Sequence, residues 1–196
     1  ITLSFNSLNN STTTVSTTQF SIYNGTSGAF VTAAGGSGAT PVWQTTSTWS
    51  TATIGGLSVN TQYSIQTGAR YVVGLNSVTS TASTLYTLAN PAVAPTITAS
   101  STTSGLNISI NTNSNPSTVT YAIFNSTTGQ YLDRNGVATT TPVYTVTSTL
   151  GSSFSASGLT VNTAYQFVVV ARNGDNTNSA TSSASSALYT LASTPS

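Results

Sequence analysis

The stretch Leu159-Thr160-Val161-Asn162-Thr163-Ala164-Tyr165-Gln166-Phe167-Val168-Val169-Val170-Ala171-Arg172-Asn173 decides the fold. From Tyr165 onward it has a period of two: Tyr165, Phe167, Val169 and Ala171 alternate with Gln166, Val168, Val170 and Arg172. Successive side chains of an extended chain point to opposite faces, so this is a β-strand with one apolar face turned to a core. The second set contains two valines, so its face is covered as well, by the rest of the chain or by another subunit.

Working outward, the same strand occurs once before, with Tyr63, Ile65, Thr67, Ala69 and Tyr71 in the inward role. Its surroundings recur too. Phe20-Ser21-Ile22-Tyr23-Asn24-Gly25 returns as Tyr121-Ala122-Ile123-Phe124-Asn125-Ser126, an offset of 101 (121 minus 20). Thr40-Pro41-Val42-Trp43 returns as Thr141-Pro142-Val143-Tyr144, Gly56-Leu57 as Gly158-Leu159, and Leu85-Tyr86-Thr87-Leu88-Ala89 as Leu188-Tyr189-Thr190-Leu191-Ala192. Blocks in one order with a nearly constant offset mean a duplicated unit. The 196 residues accommodate two such units of ordinary domain size. Ser, Thr, Asn and Gly clusters punctuate the chain at the spacing of an antiparallel sandwich, and no stretch reads as an amphipathic helix.

Only 3% of the residues are charged, against roughly 25% in ordinary globular proteins. They are Arg70, Asp133, Arg134, Arg172 and Asp175; there is no Lys, Glu, His or Cys. Hydroxyls and carboxamides must therefore solvate the surface. A net charge of +1 offers no footprint for nucleic acid or an anionic membrane, and no apolar run is long enough to span a bilayer. Disulfides and thiolate metal sites are excluded, and no cofactor is implied. General acid-base chemistry is reduced to Asp133 and Asp175, in different loops, which read as solvated loop charges beside Arg134 and Arg172. The chain is expected to be non-catalytic. Asp175-Asn176-Thr177-Asn178 offers oxygens to Ca²⁺ but lacks a bidentate Glu, a poor set for a hard cation.

The quoted stretch resembles the E-to-F corner and F strand of fibronectin type III domains, with Tyr63 and Tyr165 as the corner tyrosines. That resemblance implies an all-β chain of two tandem immunoglobulin-like sandwiches, each locked by a tyrosine hydroxyl bonded to upstream backbone. Where that family has Pro-Gly in the corner, this chain has Val59-Asn60 and Val161-Asn162. In the second copy the strands are expected at 96–99 (A), 106–111 (B), 118–125 (C), 130–146 (the C′ region), 152–157 (E), 164–173 (F) and 187–191 (G). The domains are read as 1–90 and 96–196, joined by a semi-rigid linker at 91–95 that carries Pro91 and Pro95.

Aligned on strand B, Leu3-Ser4-Phe5-Asn6 matches Ile108-Ser109-Ile110-Asn111, so the first sandwich lacks strand A. A missing strand exposes an edge. Three explanations stand: the sheet tolerates the loss or the sequence is an excerpt of a longer array; a neighbouring subunit supplies the strand; or Ile1, Leu3 and Phe5 are themselves a donor strand for a neighbour. Size and composition resemble those of archaeal thread filaments and related donor-strand pili. This likeness implies a secreted, glycosylated cell-surface subunit whose partner is itself, head to tail. The other reading is a fibronectin-like spacer or a carbohydrate-binding or adhesion module of a larger secreted protein. Without Lys, a Lys–Asn isopeptide is impossible.

Sequons fall at Asn9, Asn10, Asn24, Asn107 and Asn125. Asn24 and Asn125 are repeat-equivalent, at the end of strand C, where a turn is expected to expose them; Asn107 lies in a strand, and Asn9 and Asn10 share a loop. Trp43, Trp49, Tyr71 and Tyr131 are weighed as a sugar-stacking platform, but Trp43 and Tyr144 match across the repeat, which favours packing.

Overall fold

The structure, a computed structural model, describes residues 1–4, 18–71, 79–151 and 153–195. It divides into two units, Ile1–Thr87 and Leu88–Ser196. The first contains β1 (Thr2–Ser4), β2 (Thr18–Asn24), β3 (Ala29–Val31), β4 (Ser37–Gly38), the single-turn helix α1 (Thr46–Trp49), β5 (Thr51–Thr53), β6 (Gln62–Tyr71) and β7 (Ser83–Tyr86). The second contains β8 (Val93–Ala99), β9 (Leu106–Asn111), β10 (Thr120–Asn125), β11 (Gln130–Leu132), β12 (Ala138–Thr139), β13 (Thr145–Val146) and the single-turn helix α2 (Thr147–Leu150), then β14 (Phe154–Ala156), β15 (Ala164–Tyr165), β16 (Phe167–Arg172), β17 (Asn178–Thr181) and β18 (Leu188–Tyr189).

Each unit is an immunoglobulin-like sandwich of antiparallel sheets. In the second, the order β12-β11-β10-β16-β17 faces the three-stranded β14-β9-β8. Phe167, Val169 and Ala171 of β16, Tyr121 and Ile123 of β10, and Leu106 and Ile108 of β9 meet in one core cluster, with Ile97 of β8 packed against it. Phe167, Val169, Leu106 and Ile108 are fully buried, each contributing about 1.5–3 kcal/mol. The outward Val170 is buried too, and Phe124 and Tyr131 pack in a tilted pair across β10 and β11 at 4.9 Å, interplanar angle 60°.

The first unit repeats the larger sheet as β4-β3-β2-β6-β7, but among the described residues its second sheet holds only β1 and β5. Leu3 pairs Ala52 as Ile108 pairs Phe154, and Ile54 N–H donates to the Ile1 carbonyl at 2.9 Å, so β1 is strand B and the strand A position beside it is vacant among the described residues. Ile1 and Leu3 pack against their own core, which removes them as donors to a neighbour in this conformation; Phe5 lies outside the described residues. Among the described residues, the core around Ile22, Trp49, Ile54, Tyr63 and Ile65 correspondingly lacks a counterpart of Ile97.

Three expectations need correction. The stretch 91–95, read as a linker, is part of the second unit: Ala92 is in its core, Asn90 N–H donates to Asn115 Oδ1 at 2.7 Å, and β8 already starts at Val93. Its ladder is bulged between Val93 and Thr96, which is how an edge strand accommodates Pro95. Strand G was placed at 187–191, yet β16 pairs with β17 at 178–181, and only Leu188–Tyr189 remains, on β15. The C′ region, expected as one stretch at 130–146, folds into three short strands and is followed by α2, matched by α1, whose N-cap Thr45 accepts from Thr48 N–H at 3.3 Å.

One contact repeats in both units. The β11–β12 turn drives Gly136 against β14, its carbonyl accepting from Ser157 N–H at 2.9 Å, and Gly35 does the same with Gly55 N–H at 3.0 Å. Gly136 has φ +78° and an added Cβ would stand 1.8 Å from Ser155 O; for Gly35 the values are +81° and 2.0 Å from Thr53 O. Strand E is thereby capped from within. Gly136→Ala should cost about 3 kcal/mol or more, combining left-handed strain with a backbone clash. Urea denaturation reads this, and a loss below about 1 kcal/mol would show the turn to be free of β14.

Candidate functional site

The features with chemical consequence are the means by which uncharged side chains satisfy backbone, and the edge they leave open. In the corner, Tyr165 Oη accepts from Thr160 N–H at 2.9 Å and Tyr63 Oη from Ser58 N–H at 3.0 Å. Asn60 (φ +43°) and Asn162 (φ +48°) supply the left-handed residue there, because a short carboxamide tolerates that region better than other side chains. Thr190 Oγ1 ties the corner to the last segment, donating to Thr160 O at 2.6 Å and accepting from Thr163 N–H at 3.1 Å; Thr87 occupies the same place in the first unit, accepting from Thr61 N–H at 3.0 Å.

A serine seam runs beside strand F. The N–H groups of Ala171, Val169 and Phe167 donate to the hydroxyls of Ser179, Ser182 and Ser185 at 3.3, 2.9 and 3.1 Å. Ser182 and Ser185 N–H return bonds to the carbonyls of Val169 and Phe167, both at 2.9 Å. The G segment thus advances three residues for every two of strand F, a run of bulges in which a hydroxyl replaces a carbonyl. In the first unit Thr67 N–H donates to Ser80 Oγ at 3.0 Å, and Ser83 pairs Ile65. The strands expected from the sequence, 164–173 and 187–191, leave this segment unassigned between them. The signal was the Ser-x-x-Ser-x-x-Ser spacing at 179, 182 and 185, echoed at 77, 80 and 83; Ser77 lies outside the described residues.

Asn24 and Asn125 are not exposed by their turns. They are 4% and 2% exposed, and their Oδ1 atoms cap the turn: Thr26 and Ser27 N–H donate to Asn24 at 3.1 and 3.3 Å, Thr127 and Thr128 N–H to Asn125 at 3.0 and 3.3 Å. Such carboxamides are poorly placed to receive a glycan. Asn107 is half-buried on the outer face of β9, between Ser155 Oγ at 2.8 Å and Ala99 O at 3.3 Å. Asn9 and Asn10 lie outside the described residues.

The aromatic residues have packing roles. Trp49 is in the core, its Nε1–H donating to Phe20 O at 2.8 Å. Trp43 lies against Gly68, with the Arg70 guanidinium 4.7 Å from its ring, and Arg172 stands 3.5 Å from the ring of Tyr144, the equivalent pair. Tyr131 meets Phe124, and the Tyr71 side chain is not described. Asp133 Oδ1 accepts from Asn135 and Val137 N–H at 2.8 and 2.9 Å, a turn-forming role. Among the described residues no three His, Cys, Asp or Glu side chains converge on a metal position, and no helix is long and apolar enough to cross a membrane.

Among the described residues Tyr121 is the exception to polar satisfaction: its hydroxyl is buried without a hydrogen-bond partner. The Asn115 carboxamide draws near but is bonded both ways to Asn90, at 2.7 and 2.8 Å. Burial pushes the Tyr121 phenol above its usual 10.0, against a smaller opposing effect of Asn115. Phe20 holds this position in the first unit.

No family profile matches the chain, and no curated protein matches it. Among solved structures it is similar to a two fibronectin type III domain segment from chicken tenascin, 12% identical over 91% of this chain and 87% of that one, with a TM-score of 0.48. It is similar also to the FN1–FN3 domains of chicken CNTN1, 14% identical over 89% and 54%, TM-score 0.37. A further likeness is to titin module A71 from human cardiac muscle, 20% identical over 52% and 92%, TM-score 0.34. Such likenesses say nothing of what the chain does; the strand topology carries the fold.

Two predictions follow from this chemistry. Ser182→Ala and Ser185→Ala leave the buried N–H of Val169 or Phe167 unmet and should each cost about 1–3 kcal/mol in denaturant unfolding; a loss under about 0.5 kcal/mol would remove the seam's role. Tyr121→Phe should be neutral or stabilising. Because the folded chain holds the Tyr121 proton more tightly, its contribution is complete below the unfolded pKa near 10 and is lost as pH rises through the folded value. The unfolding midpoint should therefore fall above about pH 10 in the parent and fall less in Tyr121→Phe.

Proposed function

We propose that this chain is a non-catalytic structural module of the cell exterior that works by β-strand pairing. The first unit accepts, along β1, a strand that another copy supplies, making a head-to-tail filament. The observation behind this is the flank of β1, vacant among the described residues, at the position where β8 lies on β9 in the second unit. The occupant must alternate as β8 does, with apolar residues at the places of Pro95 and Ile97 and polar ones at Thr96 and Thr98. A charge-poor, hydroxyl-rich surface suits an exterior setting, since few groups respond to pH, and Asn107 is the best placed described residue for a glycan.

The second reading is a spacer within a longer polypeptide, whose own preceding segment fills the edge. It is favoured by the second unit, where strand A comes from the same chain. Light scattering and negative-stain microscopy of the intact chain, across concentrations and with a synthetic Val93–Ala99 peptide, separate the two. The filament reading expects oligomers that grow with concentration and are capped by excess peptide. Monomers that bind the peptide would leave the spacer, and monomers that ignore it would end strand acceptance altogether.

A further inference from the structure

The sequence has three Asn-Gly bonds, at Asn24-Gly25, Asn135-Gly136 and Asn173-Gly174. This pair is chemically the weakest amide sequence in a protein, because glycine leaves the following nitrogen unhindered and Asn is thermolabile for that reason. The structure treats the three differently. Asn24 and Asn173 are 4% and 5% exposed, and each Oδ1 accepts two backbone N–H groups, those on Asn173 coming from Asp175 and Thr177 at 3.1 and 2.8 Å. Gly25 N–H is further held by Ser64 O across the sheet at 2.8 Å. Asn135 is exposed, and among the described residues nothing bonds its carboxamide. Among the described residues only the turn bond from Gly136 N–H to Asp133 O, at 3.0 Å, restrains the attacking nitrogen.

We infer that Asn135-Gly136 is a spontaneous modification site, an ageing clock set in the turn that anchors strand E of the second unit. Gly136 N loses its proton to base and attacks Asn135 Cγ, forming the C–N bond of a succinimide while the side-chain nitrogen leaves as ammonia. Water then opens the ring at one of its carbonyls, giving Asp or isoaspartate with no oxidant or cofactor. Isoaspartate inserts a methylene into the backbone immediately before Gly136, a residue with no spare room: its carbonyl holds Ser157 N–H at 2.9 Å and its α-carbon faces Ser155 O. The anchor cannot keep its register. The equivalent turn of the first unit has Ala34 before Gly35 and lacks this chemistry.

The test is incubation of the intact chain in mildly alkaline buffer, followed by peptide mapping that separates Asp from isoaspartate, with amide hydrogen exchange on the aged sample. The expected result is product at Asn135 at least about tenfold ahead of Asn24 and Asn173, whose reaction requires local unfolding. Ser157 N–H should exchange faster in aged protein, and Asn135→Ala, the residue of the first unit, should abolish both changes. Equal rates at the three bonds, or no product at Asn135 while the urea-unfolded chain reacts there, would overturn the site. Unchanged exchange at Ser157 in fully converted protein would overturn the consequence drawn for the anchor.

Discussion

A strand buried on both faces must have every N–H and C=O met, and this chain must do it with almost no charged side chains. Strand F of the second unit shows how. The N–H groups of its inward-facing residues meet serine hydroxyls instead of neighbouring carbonyls, and those hydroxyls spend their own protons on adjacent backbone, as Ser182 does on Ser183 O at 2.8 Å. The same economy recurs at the tyrosine corners, in the threonines that tie the corners down, and in the Asn and Asp residues that cap turns. Every buried polar residue among those described is Ser, Thr or Asn. Hydroxyl and carboxamide groups thus act as main-chain substitutes, which accounts for a composition that otherwise looks like that of a disordered tract.

Satisfaction from within also locates what is left open. Strand E is closed by the glycine turns, and strand B of the second unit is closed by β8. Among the described residues, strand B of the first unit, β1, has β5 on one side only. Antiparallel alternation fixes the direction of its groups: Ile1 bonds Ile54, so Thr2 turns its N–H and C=O to the other flank. An edge of this kind attracts extended chain.

The larger pattern was legible because it depends on period two and on repetition. Strand B of the second unit was read at 106–111 and is found there. The seam was not legible, since a hydroxyl that replaces a carbonyl leaves no alternation of apolar residues behind, only serines at every third position. The turn asparagines misled for a related reason: Asn24 sits in a sequon, yet its carboxamide is consumed by the two N–H groups that follow it. Proline in β8 was read as a break, although a bulged edge strand admits it.

The claim on which the functional account turns is that the open flank of β1 takes a strand from another molecule. Hydrogen exchange at the Thr2 amide tests it most directly, compared between the dispersed chain and any oligomer it forms at high concentration. The account predicts rapid exchange in the dispersed chain and strong protection after assembly. Equal, rapid exchange in both would show the flank still bare in the assembled form and contradict it.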